Sequence, residues 1–254
     1  MHLITPAGFE RTRVHLPVPG LADRFAGFRI LHLTDLHLTH WWFEAYEDLH
    51  AILRDAPPDL ILCTGDFVEH KWQQHHALPT LEGFLEGLRS RLGIFGILGN
   101  HDGDLLLPHL IGLPVQIING GRAIIEANGG AIDLIGVPGV NRQDLDSEFL
   151  HSIPPRTPGQ LRIVLQHYPD QVRVTRCLEP DIVLAGHTHG GQVALPGGIP
   201  IIKHDSLPRR YTSGVHRFDN TWLVVGRGLG FSTLPVRAFC PPQVMEIVLT
   251  RNDN

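Results

Sequence analysis

Five short segments of this chain concentrate side chains that bind cations or carry protons. They are Thr34-Asp35-Leu36-His37, Gly65-Asp66, Gly99-Asn100-His101-Asp102, Gln166-His167 and Gly186-His187-Thr188-His189-Gly190-Gly191. Together they offer Asp35, His37, Asp66, Asn100, His101, His167, His187 and His189, all oxygen or imidazole donors with no thiolate. Such a set suits Mn²⁺, Fe, Zn²⁺ or Mg²⁺ and disfavours a structural cysteine-type zinc. One ion needs fewer donors than this. Two ions about 3.5–4 Å apart, sharing a carboxylate, is the economical reading. Taken alone, His187 and His189 read better as two solvated loop histidines. Recurrence of the same pattern at four other places favours a common site.

Each segment follows an apolar run. Residues 28–33, 59–63, 93–98, 161–165 and 182–185 read as buried strands. Segments at 44–54, 76–91, 103–111, 143–151 and 169–178 read as helices between them. Residues 12–18 read as an edge strand limited by Pro17. Short runs at 114–118, 122–127 and 131–137, separated by Asn-Gly and Asn-Gly-Gly, predict antiparallel strands. The tail adds strands at 192–195, 200–203, 209–219, 221–225 and 243–249. Strand–helix alternation flanked by hairpins predicts two packed sheets with helices outside. Ligands of such sheets bind beyond the carboxyl ends of the strands, so all five loops can face one site.

Composition narrows the function classes. The chain has 254 residues, 43% hydrophobic and 19% charged, the balance of a globular chain. No internal repeat or long linker interrupts it, so residues 1–254 are expected to form a single domain. A net charge of −5 argues against a nucleic-acid partner. Three cysteines, Cys63, Cys177 and Cys240, lie far apart without a zinc-type spacing, which fits a reducing compartment. No apolar run is long enough to span a bilayer. A cytoplasmic protein is expected, with peripheral contact at the inner membrane as an open alternative.

The ordered set DxH, GD, GNHD, H and GHTH over residues 28–192 resembles the calcineurin-like metallophosphoesterases. In the tail, GHTHGGQVALP, RRYTSG at 209–214 and GRGLGFSTLPVR at 226–237 resemble the bacterial phosphodiesterase branch that includes certain UDP-2,3-diacylglucosamine pyrophosphatases. The resemblance implies an α/β fold, a four-layer α-β-β-α sandwich of two mixed sheets with the dimetal site at the C-terminal ends of the strands. It implies Asp35, His37 and His189 on one metal, Asn100, His167 and His187 on the other, and Asp66 as bridge. His101 would stabilise charge at the scissile phosphate and protonate the leaving oxygen. Glu69, three residues after the bridge, would orient His101, or else be a solvated loop carboxylate. Asp102 would be a helix N-cap or a catalytic partner. The implied activity is hydrolysis of a phosphodiester or diphosphate bond through a metal-bridging hydroxide. Two divalent ions are implied, manganese first, with Fe, Zn²⁺ or Mg²⁺ as alternatives.

The arginine that clamps a monoester in the protein-phosphatase branch is missing from Gly65-Asp66-Phe67-Val68-Glu69-His70-Lys71. A diester or diphosphate, on a small or lipid-linked molecule, is therefore expected. Trp41, with Trp42 and Phe43, could bind an acyl chain or a membrane interface, or could pack a helix start. Arg209 and Arg210, beside Tyr211, could hold a second phosphate or a sugar, or could be solvated. His204 and Arg227 are weaker candidates. A nuclease and a non-catalytic scaffold, like the phosphoesterase-like subunit of the retromer coat, are the competing functions.

Overall fold

The structure is a computed structural model that describes residues 3–4, 8–69, 74–142 and 145–251. Two six-stranded mixed sheets carry it. The first has the order β2 (Glu10–Val18), β16 (Gln243–Arg251), β3 (Arg29–Leu33), β4 (Leu60–Thr64), β5 (Ile94–Ile97) and β6 (Val115–Ile117), antiparallel only between β16 and β3. The second runs β13 (Gly214–Phe218), β14 (Thr221–Val225), β10 (Ile182–Ala185), β9 (Leu161–Leu165), β8 (Gly130–Gly136) and β7 (Gly121–Ala127), parallel through its four central strands. Two small ladders remain. They are β1 (Leu3–Ile4) with β15 (Arg237–Ala238), and β11 (Ala194–Leu195) with β12 (Ile199–Pro200).

Side-chain alternation sorts each strand between two cores. Ile30, Leu60, Leu62, Ile163, Leu165, Ile182 and Leu184 fill the space between the sheets. Leu31, Leu33, Ile61 and Cys63 point outward against α1 (Glu44–Asp55) and α2 (Gln74–Gly87), meeting Leu49, Leu53, Leu81 and Phe84. Val164, Val183, Ala185 and Val225 face outward on the second sheet against α5 (Val172–Thr175). The four-layer order follows.

Three expectations are corrected. Residues 115–117 do not belong to an antiparallel set: β6 runs parallel to β5, and the chain changes sheets at Asn119-Gly120. Residues 103–111 and 169–178 each break into 3-10 and α pieces, including the short α3 (Leu107–Leu110). Residues 209–212 form a 3-10 turn before β13, because the backbone there folds onto Pro208 (Tyr211 N–H to its carbonyl, 2.9 Å) instead of extending. The helix expected at 143–151 is α4 (Ser147–Ser152), capped by the Asp146 carboxylate; residues 143 and 144 lie outside the described residues.

One ionic cluster fastens the sheet edge. The Glu246 carboxylate on β16 is buried and meets Arg11 at 2.8 Å, Arg13 at 2.9 Å and Arg29 at 2.7 Å. Burial would raise its pKa. Hydrogen bonds from Arg13, Arg29 and Arg11 outweigh burial and hold it at about 2, below the ordinary 4.5. A depressed carboxylate stabilises the fold above its unfolded pKa and loses that contribution as pH falls through the folded one. Glu246→Gln is therefore expected to lower stability at pH 7 by about 1–3 kcal/mol, allowing for the partly exposed arginines. In denaturant titrations the gap from wild type should close between about pH 4.5 and pH 2. A gap that persists at the acid end would assign the loss to packing instead.

Candidate metal centre

All five donor segments sit at the carboxyl ends of β3, β4, β5, β9 and β10. The loops are laced together beyond the sheets. Asp35 N–H donates to the Gly65 carbonyl at 3.0 Å, and His37 N–H to that of Asp66 at 3.0 Å. Gly186 N–H donates to His167 O at 3.1 Å, and Gly230 N–H to Asp35 O at 2.8 Å. This lacing forces the backbone into an uncommon shape. Asp35, His37, Asp66, His187 and His189 all have positive φ, between 42° and 68°. Left-handed backbone at five donor residues is strain of about 1 kcal/mol or more each, held by the surrounding bonds. Gly99 is required by contact: a Cβ there would lie 2.3 Å from Asp66 Oδ1.

The donors meet. His37 Nε2 and His189 Nε2 are 2.9 Å apart, and Asp35 Oδ1 is 3.5 Å from His189 Nε2. Asn100 Oδ1 lies 2.9 Å from both His167 Nε2 and His187 Nδ1. Between the groups stands Asp66 Oδ2, 3.5 Å from His37 Nε2 and 3.3 Å from His167 Nε2. Asp35-His37-His189 and Asp66-His167-His187 each converge tightly enough to hold an ion, as does His37-Asp66-His101. His101 lies at the cleft; its backbone N–H donates to Asp66 Oδ1 at 2.8 Å, and its ring stands edge-on to His37, 4.7 Å between centroids.

The electrostatics call for positive charge. His167 Nδ1 donates to the Thr64 carbonyl at 2.8 Å, which aims Nε2 at two oxygens, Asp66 Oδ2 and Asn100 Oδ1. Burial would lower the His167 pKa, but the Asp66 charge beside it lifts it to about 9. Burial and the neighbouring His167 push His187 down to about 3. Burial would raise Asp66, yet His167 and His37 hold it far below the ordinary carboxylate range. A pocket that draws protons onto buried imidazole is one that a cation can occupy in their place. The donor set therefore fits two divalent ions.

Glu69 is placed otherwise than expected. Its carboxylate Oε2 meets His37 Nδ1 at 2.5 Å, and Oε1 accepts the Thr233 N–H at 2.8 Å. His101 Nδ1 instead donates to the Glu69 backbone carbonyl. The side chain thus orients a metal-type histidine, a carboxylate–histidine arrangement that fixes the tautomer. Glu69→Gln should weaken metal affinity by about 10- to 100-fold while leaving the His101 contact in place. Competition with a chromogenic chelator measures this; an unchanged affinity with depressed turnover would return Glu69 to the role first expected of it. His70 and Lys71 lie outside the described residues.

Asp102 does not cap the helical turn that follows it, whose N-cap is Gly103. Fully buried, its Oδ1 accepts Phe67 N–H at 2.6 Å and Val68 N–H at 3.2 Å, and its Oδ2 accepts Gly99 N–H at 2.7 Å. It ties the loop after β4 to the loop after β5.

The cleft above the donors has a volume of about 480 Å³ and is lined by Gln192, Val193, Ile202, His204, Ser232, Thr233 and Leu234 besides the histidines. Arg209 and Arg210 are exposed on the 3-10 turn and are not among its lining residues; Arg210 stacks on Tyr211. Arg227 pairs with Glu10 at 2.7 Å. The aromatic triplet divides: the Trp42 indole donates to Glu47 on α1 at 2.8 Å, whereas Trp41 remains 62% exposed. Residues 232–234 gave no sequence signal beyond the GFSTLP resemblance. Arg237 ends the stretch GRGLGFSTLPVR, but nothing in the sequence marked it as a site residue. It is fully buried, and its guanidinium lies 3.2 Å from His189 Nδ1 and donates to the Gly228 and Gly230 carbonyls.

Residues 28–191 match the family model of the calcineurin-like phosphoesterases. The chain belongs to that family. It is 31% identical to the metallophosphoesterase YkuE of Bacillus subtilis over 97% of this chain and 87% of that one. It is 29% identical to the phosphodiesterase YaeI of Escherichia coli, over 98% and 91%. It is 24% identical to the UDP-2,3-diacylglucosamine pyrophosphatase LpxG of Chlamydia trachomatis, over 92% and 87%. The solved structure of TT1561 from Thermus thermophilus shares the fold, with a TM-score of 0.51, 14% identity, and 79% and 89% of the two chains covered. The metallophosphoesterase thus joins a fold that uses a dimetal site to His and Asp groups that could bind those metals.

Proposed function

We propose that this metallophosphoesterase hydrolyses a phosphodiester or diphosphate bond in a small or lipid-linked molecule. The observation that carries the reading is Asp66 Oδ2, set between His37 Nε2 and His167 Nε2 where one carboxylate can serve both donor groups. Asp35, His37 and His189 would hold one cation, and Asn100, His167 and His187 the other. When bound, two divalent cations supply a water activated near neutral pH and neutralise phosphate oxygens. His101, with Nδ1–H tied to the Glu69 carbonyl, would as imidazolium give its Nε2 proton to the leaving oxygen and be left neutral. A cleft of about 480 Å³ suits a small-molecule substrate. The net charge of −5 speaks against a nuclease. The filled donor set speaks against a scaffold. No helix among the described residues is long and apolar enough to cross a membrane.

Chelation is expected to abolish hydrolysis of bis-p-nitrophenyl phosphate, with Mn²⁺ restoring it best among Mn²⁺, Fe²⁺, Zn²⁺ and Mg²⁺. It should also lower Tm, since metal at a hundredfold above Kd adds about 2.7 kcal/mol of stability. Turnover that survives in protein shown metal-free by elemental analysis would defeat the reading. Parallel assays with UDP-2,3-diacylglucosamine, cyclic nucleotides and single-stranded DNA choose the substrate. The similarity to YaeI supports a diester, and that to LpxG a diphosphate.

A further inference from the structure

A second hollow adjoins the cleft. It has a volume of about 230 Å³, with Trp41, Tyr46 and Phe231 among its walls and the buried His37 and Glu69 at its polar end. It shares Thr233 and Leu234 with the cleft, so these two residues stand as a partition between them. The partition is held firmly: Thr233 has φ 64°, and its N–H is clamped by Glu69 Oε1 at 2.8 Å. Two of the hollow's lining residues, Leu234 and Trp41, are 64% and 62% exposed.

The hollow's chemistry selects its occupant. Glu69, the one carboxylate among its described lining residues, is engaged by His37 and by Thr233. An anionic group there would meet that negative charge, and an uncharged polar group would be desolvated against aromatic and proline surface. Hydrocarbon meets neither penalty and removes exposed indole and leucine surface from water. His37 lines the hollow, His101 lines the cleft, and Leu234 lines both.

We infer that this hollow is a subsite for an alkyl or acyl chain of the substrate, so that the protein acts on amphiphilic phosphodiesters or diphosphates. The inference rests on the catalytic reading above and adds to it the part of the substrate that does not react. Binding energy that the chain gains equally in ground and transition states appears in KM and not in kcat.

The test is a series of p-nitrophenyl diesters whose second ester is methyl, butyl or octyl, assayed with the Mn²⁺-loaded protein. From methyl to butyl, KM should fall about two- to fourfold per methylene at nearly constant kcat. Trp41→Ser, at an exposed position, should reduce that slope, and Ala45→Phe, which fills the hollow, should flatten it. Calorimetric titration with octyl phosphate against methyl phosphate reads the subsite without turnover, and octyl phosphate should bind more than about tenfold tighter. If none of the esters is hydrolysed, the catalytic reading fails, and the titration still decides the subsite. A flat KM series, equal affinities for the two phosphates, or a slope unchanged in both variants overturns the subsite. So does a larger KM gain for thymidine 5′-p-nitrophenyl phosphate than for the octyl ester, which would mark a nucleobase pocket.

Discussion

Asp66→Ala is expected to lower turnover by at least about 10³-fold, equivalent to ~4 kcal/mol of barrier. Three contacts leave with the carboxylate. Oδ2 faces His37 and His167 at 3.5 and 3.3 Å, and Oδ1 accepts the His101 backbone N–H at 2.8 Å. Its removal takes the shared charge from both donor groups and unfastens the backbone that carries His101. Asp66→Asn separates the two effects. The amide keeps an oxygen for the His101 N–H but brings no charge, so positioning survives and cation affinity does not. Both variants should therefore lose bound metal by mass spectrometry, and Asp66→Asn should keep more of the wild-type thermal stability in chelator. Full metal content together with turnover within about tenfold of wild type would mean that the two ions need no common carboxylate.

His101→Gln should cost about 10²- to 10⁴-fold in kcat with alkoxide leaving groups, the usual contribution of a positioned general acid. With p-nitrophenolate, a weak base that departs unprotonated, the loss should be smaller. That contrast is the signature of a proton given to the leaving oxygen. His101 also converges with His37 and Asp66 closely enough to be a ligand itself. Metal stoichiometry divides the two roles. Retained ions with a leaving-group-dependent loss assign the acid. Lost ions with a uniform loss assign the ligand.

Much of the site was legible because each donor lies next to the strand end that places it. An apolar run of four to six residues predicts a buried strand from local composition alone. The runs at Ile182–Ala185 and 161–165 matched the observed strands residue for residue, and Asp35, Asn100 and His187 follow such runs within a few positions. What local pattern does not contain is a partner distant in the chain. Arg162 interrupts an apolar strand, and its burial is explained by partners distant in the chain: the Asp133 carboxylate at 2.7 Å and the Leu178 and Pro154 carbonyls. Glu69 sits at the position from which the resemblance expected it to serve His101, yet its carboxylate goes to His37, because the backbone carbonyl had already taken the other ring. The apolar hollow needs Trp41 beside Phe231 and Leu234, about three quarters of the chain away. Sequence determined which side chains can bind cations and at which strand ends they stand. The tertiary structure decided that strand ends from two different sheets face one another, since that depends on how two apolar faces pack, and a one-dimensional pattern of apolar residues is silent on which face meets which.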